Sequence, residues 1–237
     1  MRAFLLLFLL AGCTSRRVFE ELPQRETLYS TQAPCKIVID AGHGGKDFGA
    51  QSHGSSKSQE KVLTLATGLF LNDALERMGY QTILTRGEDF FVPLKLRAEF
   101  ANGNRAALFI SVHYNAASNK EAEGVEVYYY PSETMQERTA ESKVLAETVL
   151  RHLISDTSMK SRGVKKGDFA VIRETKMPAI LVEGGFLTNE KEANRLRDPQ
   201  VQKTIAESIA SGIHEYLHSA SKRSKRPRRD SNARPAA

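Results

Sequence analysis

Residues 36–45, KIVIDAGHGG, contain the stretch that decides the fold class. The apolar, β-branched run KIVIDA has the length of a buried strand, and the glycines after it permit a sharp turn. An apolar stripe of helical period follows over residues 59–78 and ends before Gly79, as a helix should. A buried strand, a glycine turn and an amphipathic helix in this order indicate an α/β domain built on a largely parallel sheet.

The rest of the chain repeats this alternation of short apolar runs and helical patterns. Its 237 residues are 41% apolar, which is enough for one core of good size. We therefore predict a single compact α/β domain with helices on both faces of a mixed, mostly parallel sheet. The further strands are predicted at 81–85, 107–113, 125–130 and 179–183, and the further helices at 93–102, 139–154 and 199–218.

The first residues have the layout of a secretory signal peptide, and LAGC at residues 10–13 resembles the lipobox of bacterial lipoproteins. We predict that residues 1–12 are a signal peptide with a lipobox and that residues 13–35 are a linker lipidated at Cys13, which would hold the protein to a membrane. An ordinary signal peptide with an incidental cysteine is the alternative. The anchored protein is expected in the periplasm, and Thr14, rather than Asp, favours the outer membrane over the inner one.

The formal net charge of +6 comes from one end of the chain. Residues 219–237 hold seven Lys or Arg residues against one Asp, and the remainder is formally neutral. No nucleic-acid partner is therefore expected for the folded domain. The basic tail has little apolar surface to bury and is predicted to be disordered. It is predicted to be a plain solvated end or a polybasic patch for anionic lipid or an envelope polymer, with nucleic acid a weaker third choice because the predicted compartment contains little of it.

Residues 214–218, HEYLH, fit the H-E-x-x-H pattern of zinc metallopeptidases. The apolar stripe of the last predicted helix runs along other positions, so His214 and His218 are expected to point to water. No His or Glu follows residue 218 to act as a third ligand. We predict that any zinc site lies elsewhere, and the metallopeptidase remains a competing hypothesis.

Polar side chains stand at the carboxyl ends of the predicted strands, where ligands gather in α/β sheets. They are Asp40 and His43 after the first strand, His113 and Asn115 after the third, and Glu183 at the last. Taken singly, the histidines would also fit a tight turn or a buried imidazole with a satisfied partner. Glu183 ends the apolar run AILVE and would need a partner cation or a proton.

Glu60 lies in the first turn of the helix that follows the DAGHGG loop. A carboxylate there stabilises the helix dipole by roughly 0.3 to 1 kcal/mol, which alone could explain its presence. Together with His43, His113 and Glu183, however, it forms a set of two imidazoles and two carboxylates. One carboxylate can complete the ligands of a catalytic zinc ion, and the other can serve as the base.

The order and spacing of six motifs resemble those of the zinc-dependent N-acetylmuramoyl-L-alanine amidases, amidase type 3. These bacterial enzymes cut peptidoglycan between N-acetylmuramic acid and the L-alanine of the stem peptide. The resemblance covers about residues 36–217. The motifs are DAGHGGKDFGA, SQEKVLTLA, LTRGEDFFVPLKLRAEFAN, FISVHYNA, GVEVYYY and RGVKKGDFAVIRETKMPAILVEGGFLTN.

This resemblance implies an αβα sandwich over residues 36–218 with one Zn²⁺ per chain. It makes His43, Glu60 and His113 the zinc ligands and Glu183 the catalytic carboxylate. The implied substrate is peptidoglycan or a muropeptide, and the implied role is cell-wall remodelling or daughter-cell separation. Two alternatives remain, a zinc peptidase that acts within the stem peptide and a non-catalytic lipoprotein that binds wall fragments.

Two positions depart from the common pattern of that family. Phe48 stands where proline is frequent, and Tyr114 stands where a small residue is common, so Tyr114 is expected to alter the shape of the pocket. Some division-associated relatives carry an inserted helix that blocks the zinc ion. Too few residues separate Tyr130 from the helix near Thr139 for such an insertion, and an open site is therefore expected.

Overall fold

A computed structural model describes residues 35–52 and 57–224 of the chain. The strands of this part form one sheet, and five of them match predicted strands. The strands are β1 Lys36–Ala41, β2 Gln81–Leu84, β3 Leu108–Asn115, β4 Val125–Tyr129, β5 Ser161–Lys166 and β6 Ala179–Phe186.

The helices of the described residues include four that the apolar periodicity predicts within a few residues of their ends. They are α1 Glu60–Arg77, α2 Leu94–Gly103, α3 Gln136–Thr157 and α6 Pro199–Ser224. Two short helices, α4 Ala170–Arg173 and α5 Glu190–Leu196, were not predicted. They are four and seven residues long, which is too short for an apolar period to be recognised.

The strands lie in the order β2-β1-β3-β6-β4-β5. Every neighbouring pair is parallel except β4 with β6, which confirms the predicted mixed, mostly parallel sheet. The central neighbours β1, β3 and β6 run in the same direction, so their carboxyl ends emerge at one edge of the sheet.

The two faces of the sheet carry separate cores because strand side chains alternate in direction. One face buries Ile39, Ile110 and Val182 against α1, α3 and α6. The other face buries Phe109 and Leu181 against α2 and α4. Helices on both faces confirm the αβα sandwich. The second cover is the thinner one, since α2 has ten residues and α4 has four.

Strand β5, SRGVKK, is the main element that the sequence patterns missed. It has one apolar side chain among six residues, so it lacks the alternation that marks a strand. It lies at the edge of the sheet and pairs only with β4. Charged side chains on an edge strand discourage pairing with other chains, which accounts for the unusual composition.

The last helix continues to Ser224, past the end at residue 218 that its apolar period predicts. The segment SASKRS contains no helix breaker, and the first proline after it is Pro227. Residues 1–34, with the predicted signal peptide, the lipobox and most of the linker, lie outside the described residues, as do residues 225–237. Among the described helices, none has both the length and the apolar character that a membrane span requires.

Candidate active site

His113 and Glu183 lie side by side at the carboxyl ends of two central strands. Their Cα atoms are paired across β3 and β6, so both side chains leave the sheet on the same face. Glu126 of β4 is paired with Glu183 from the other side and extends the row. This is the face that carries Phe109 and Leu181, over which the helical cover is thin.

Three side chains converge at the β1 end of this row. Glu60 Oε2 lies 3.0 Å from His43 Nε2, and Glu60 Oε1 lies 2.9 Å from His113 Nδ1. One ligand atom from each residue lies within 4.8 Å of the other two, and the imidazole centroids are 4.9 Å apart. No other group of three or more His, Cys, Asp or Glu side chains comes this close within residues 35–52 and 57–224. The fold thus brings together the three residues predicted as ligands.

Glu60 is held in position by backbone N–H groups as well as by the two imidazoles. Ala50 N donates to Oε2 at 2.8 Å, and Tyr114 N donates to Oε1 at 3.0 Å. Burial alone would raise the pKa of Glu60, but the hydrogen bonds and charges of His113 and His43 outweigh it and hold this pKa far below its usual range. Glu60 therefore stays ionised, as a metal-binding carboxylate must.

His43 has a φ of 61°, in the left-handed region that non-glycine residues rarely adopt. This backbone geometry sends the imidazole between two carboxylates, with Asp47 Oδ2 2.9 Å from Nδ1 and Glu60 at Nε2. Burial tends to lower the pKa of His43, but Glu60 and Asp47 outweigh it and raise this pKa. A carboxylate on the outer ring nitrogen is the usual means of orienting a metal-binding histidine.

Two glycines make room for the converging side chains. A Cβ atom on Gly42 would lie 2.3 Å from Cε1 of His113. At Gly49, where φ is 65°, a Cβ atom would lie 2.5 Å from Glu60 Oε2 and 2.7 Å from His43 Cδ2. Because no real Cβ atom approaches other atoms so closely, only glycine fits at either position.

Two buried arginines, which the sequence analysis did not single out, hold the loop that carries His43. Arg86 donates to Ala41 O at 2.9 Å and to Gly42 O at 2.7 Å. Arg97 donates to Ala41 O at 2.7 Å and to His43 O at 2.6 Å. Both residues are 1% exposed. They lie in the motif LTRGEDFFVPLKLRAEFAN, but a sequence does not say which carbonyl groups a guanidinium will reach.

Asp40, one of the polar residues noted at the strand ends, is fully buried and is not part of the metal-ligand group. Arg97 donates to its Oδ1 at 2.8 Å, and Thr85 Oγ1 donates to the same oxygen at 2.6 Å. Ser111 Oγ donates to Oδ2 at 2.8 Å. Asp40 therefore balances the charge of Arg97, which in turn holds the loop that carries His43.

Glu183 is 9% exposed, and its Oε2 atom has no hydrogen-bond partner among the described residues. Burial, followed by the charges of Glu60 and Glu126, raises its pKa well above the usual value. The sequence predicted a need for a cation or a proton but not the direction of this shift. A buried carboxyl group that retains its proton so readily is suited to proton transfer.

Glu126 is a buried carboxylate that the sequence analysis overlooked, although an acid within the apolar strand VEVYY is a signal that it needs partners. Asn115, which was noted at a strand end, donates to its Oε1 at 2.5 Å, and Tyr128 OH donates to the same oxygen at 2.8 Å. Arg162 Nε donates to its Oε2 at 3.1 Å, and Lys165 Nζ also contacts Oε2.

The HEYLH residues do not form a metal-ligand group with a third residue in the described part of the chain. His218 is exposed, as predicted, whereas His214 is only partly exposed. His214 is half-buried because α6 packs near Tyr80, whose hydroxyl lies 2.9 Å from His214 Nδ1. Glu215 is engaged in an ion pair with Arg151 at 2.6 Å.

Tyr114 does not shape the pocket, contrary to the sequence prediction. It is adjacent to His113 in β3 and therefore points to the opposite face, where it is 1% exposed and its hydroxyl lies 2.6 Å from Thr67 Oγ1. The predicted absence of an inserted helix is confirmed, since residues 130–135 join β4 directly to α3. The side chains of His43 and His113 keep 21% and 16% of their surface exposed, so the group is accessible.

The donor set fits a zinc ion. Zinc binds imidazole nitrogen and carboxylate oxygen at about 2.0–2.2 Å in a tetrahedron, which separates its ligand atoms by about 3.3 Å. The two Glu60 oxygens lie 3.0 and 2.9 Å from the imidazole nitrogens, and one ligand atom from each residue lies within 4.8 Å of the others, so the three groups are close enough to share one ion. Three protein ligands leave a fourth position for water or substrate, as in catalytic zinc sites.

Several known proteins resemble this chain in sequence. The sequence profile described as N-acetylmuramoyl-L-alanine amidase matches residues 37–215. The chain is 35% identical over 199 residues to the uncharacterised protein YqiI of Bacillus subtilis, covering 78% of this chain and 91% of YqiI. It is 36% identical over 180 residues to the amidase LytC of Bacillus subtilis, covering 76% of this chain but 35% of the longer LytC.

A solved amidase structure is also similar to this chain. The N-acetylmuramoyl-L-alanine amidase from Clostridium difficile 630 superposes with a TM-score of 0.74 at 36% identity, covering 79% of this chain and 99% of that one. The matched region contains His43, Glu60, His113 and Glu183. The chain belongs to the N-acetylmuramoyl-L-alanine amidase family.

Proposed function

We propose that this amidase hydrolyses the bond between N-acetylmuramic acid and L-alanine in peptidoglycan with one zinc ion held by His43, Glu60 and His113. The strongest support is the convergence of these three side chains on an accessible face, next to the buried carboxyl group of Glu183. Membership of the family supports the bond and the substrate class.

The metal and the protein have distinct parts in the reaction. When bound, zinc would polarise the amide carbonyl and lower the pKa of water. Glu60 offers an ionised oxygen, and His43 and His113 offer ring nitrogens. Because Glu60 and Asp47 raise the pKa of His43, a proton competes with the metal for this ring, so zinc affinity should fall as the pH falls.

Glu183 would carry the proton through both halves of the hydrolysis. As the water oxygen bonds to the amide carbon, the Glu183 carboxylate accepts one water proton. When the carbon–nitrogen bond breaks, the same carboxyl group donates this proton to the departing L-alanine amine. The products are the lactyl carboxyl group on the sugar and a peptide with a free amino terminus.

The location and the cellular role also belong to this proposal. The lipobox-like LAGC sequence supports an amidase lipidated at Cys13 and held to the periplasmic side of the cell envelope, with the outer membrane favoured. The basic tail would contact anionic lipid or an envelope polymer. Such a protein would serve in cell-wall remodelling or daughter-cell separation. Absence of a fatty-acid label on the wild type, with Cys13→Ala as the unlabelled control, would contradict the lipid anchor.

Zinc content tests the metal assignment without reference to activity. We expect the purified wild type to hold about one zinc ion per chain, and we expect His113→Ala to lose it. The matched control is His214→Ala, which removes an imidazole from the HEYLH motif and should retain zinc. Loss of zinc from His214→Ala, or its retention by His113→Ala, would overturn the assignment.

A further inference from the structure

Two cations lie on the far side of Glu183 from the metal-ligand group. The strand order β3-β6-β4-β5 makes His113, Glu183 and Glu126 a row that ends at β5. At that end, Arg162 and Lys165 both contact the Oε2 atom of Glu126. Neither Arg162 nor Lys165 has a part in the proposed hydrolysis.

The backbone of β5 brings both cations to the same face. Residues three apart in a regular strand point to opposite faces, which would separate Arg162 from Lys165. Within this stretch, however, β5 advances by one residue more than β4, and Gly163 has a φ of 87°. This bulge reverses the alternation and lets both side chains reach Glu126. Bulges of this kind often re-aim side chains next to active sites.

The cation pair keeps a surplus charge at the surface. Glu126 has a side chain that is 3% exposed, whereas those of Arg162 and Lys165 are 35% and 37% exposed. Burial raises the pKa of Glu126, but Lys165, Tyr128 and Arg162 outweigh it and lower this pKa, so the carboxylate stays ionised. One carboxylate between two cations leaves a formal charge of +1. That charge faces solvent beside Glu183.

Arg162 is also fixed in orientation. Its guanidinium lies 4.8 Å from the centroid of the Phe186 ring, while Nε is bound to Glu126. A planar guanidinium held in this way presents its remaining N–H donors in a set direction. Carboxylates and phosphates are the groups that such a fork, aided by an ammonium group, binds well, and the stem peptide offers carboxylates.

The direction of the reaction fixes which part of the substrate reaches this pair. The amide carbonyl must lie toward the ligand group at His113, and the departing nitrogen must lie toward Glu183, which protonates it. The peptide attached to that nitrogen then extends toward β4 and β5. In the stem peptide, the second residue is a γ-linked glutamate whose α-carboxyl group is either free or amidated. Its α-carbon follows the scissile nitrogen by about 5 Å in an extended chain, which is close to the spacing of about 4.8 Å between neighbouring strands.

We propose that Arg162 and Lys165, held by Glu126, bind the free α-carboxylate of the second stem-peptide residue. This inference rests on the proposed function, because it needs the peptide to be the leaving group at Glu183. The site favours the free acid over its amide, since a neutral amide offers the two cations no opposite charge.

Peptide binding tests the proposal directly. The ligands are the dipeptide L-alanyl-D-glutamate with its γ-carboxyl group blocked as the methylamide, and the α-amide of the same compound, each titrated calorimetrically into the zinc-loaded protein. The variants are Lys165→Met and Arg162→Gln, each of which leaves Glu126 one cation. The control is Lys166→Met, since Lys166 is exposed and pairs with Tyr129, so it lies on the opposite face. Circular dichroism confirms that each variant is folded.

We expect the wild type and Lys166→Met to bind the acid roughly tenfold more tightly than the amide. Lys165→Met and Arg162→Gln should lose roughly that factor for the acid and leave binding of the amide unchanged. Equal binding of acid and amide by the wild type, or equal losses for both ligands, would overturn the proposal.

Cleavage of the matching muropeptides separates this proposal from the proposed function. If the wild type releases peptide from both forms but the variants raise the KM for the free acid alone, both proposals gain support. If the wild type cleaves neither form, the proposed function fails. The calorimetric comparison then still decides whether Arg162 and Lys165 bind the free acid more tightly than the amide. If the wild type releases peptide from both forms and the variants show no rise in KM that is specific to the free acid, only the proposed carboxylate site at Arg162 and Lys165 is overturned.

Discussion

Arg97 donates to Asp40 Oδ1 at 2.8 Å in an ion pair whose side chains are 2% and 0% exposed. The same guanidinium donates to the carbonyl oxygen of His43, the residue with a φ of 61°. A buried charge pair therefore fixes the strained backbone that aims an imidazole at Glu60. Stability and metal binding are coupled through this one side chain.

Replacement of Arg97 by methionine should be strongly destabilising. The change leaves the buried Asp40 carboxylate without its cation, and breaking a buried pair in this way costs about 3–5 kcal/mol. Zinc affinity should fall as well, because His43 O loses its donor. The control is Lys95→Met on the same helix, where the side chain is 82% exposed and the change should stay within about 0.5 kcal/mol. Urea unfolding measures both, and a loss below about 1 kcal/mol for Arg97→Met would contradict the expectation.

Asp47→Asn should weaken zinc binding without unfolding the protein. Asp47 Oδ2 lies 2.9 Å from His43 Nδ1, and Oδ1 accepts a hydrogen bond from Gly49 N at 3.1 Å that an asparagine oxygen can keep. The change therefore removes the charge beside the imidazole from a side chain that is 40% exposed. Loss of such an orienting carboxylate typically lowers metal affinity by roughly 10- to 100-fold. Competition with a chromogenic chelator gives the affinity. Asp168→Asn removes the same charge at a side chain that is 73% exposed and should bind zinc like the wild type.

Glu183→Gln should stabilise the zinc-free protein, and the gain should depend on pH. The pKa of Glu183 is raised in the folded state, so its contribution to stability is fully present below the unfolded pKa and is lost as the pH rises toward the folded pKa. Glutamine does not ionise and escapes this loss. In EDTA, the variant should unfold like the wild type near pH 4 and be more stable by roughly 1–3 kcal/mol near pH 8.

A pH-independent difference between the two proteins would contradict the raised pKa of Glu183. The control is Glu133→Gln, which replaces an exposed carboxyl group and should leave the unfolding curves of the zinc-free protein unchanged at both pH values.

The fold was largely predictable because the burial of apolar side chains imposes a visible period. The runs KIVIDA and AILVE are almost wholly buried, and α1 and α6 each turn one apolar stripe toward the core. The spacing of the apolar residues therefore identifies these strands and helices. Strand β5 escaped this reasoning since its side chains serve Glu126 and the sheet edge rather than the core. Its stability comes from pairing with β4, which no local pattern reveals.

His113 and Glu183 could be predicted as site residues because a polar side chain at the end of a buried strand costs free energy unless it has a partner or a function. The supporting residues were not, because Arg86 and Arg97 act through backbone carbonyl groups that only the folded chain brings to them. The alternation of β3 also decided the place of Tyr114, whose ring packs near Thr67 on the face opposite His113. Tyr114 departs from the family pattern next to the predicted ligand His113, but its side chain does not line the pocket.

The most direct test of the central claim is identification of the products that the zinc-loaded protein releases from purified peptidoglycan. We expect free stem peptides with an amino-terminal L-alanine and glycan strands that keep the lactyl carboxyl group. Glu183→Gln should retain zinc and release these products at least about 100-fold more slowly, the factor that general acid–base catalysis supplies. Cuts within the stem peptide in place of free L-alanine termini, or release by Glu183→Gln at the wild-type rate, would contradict the account.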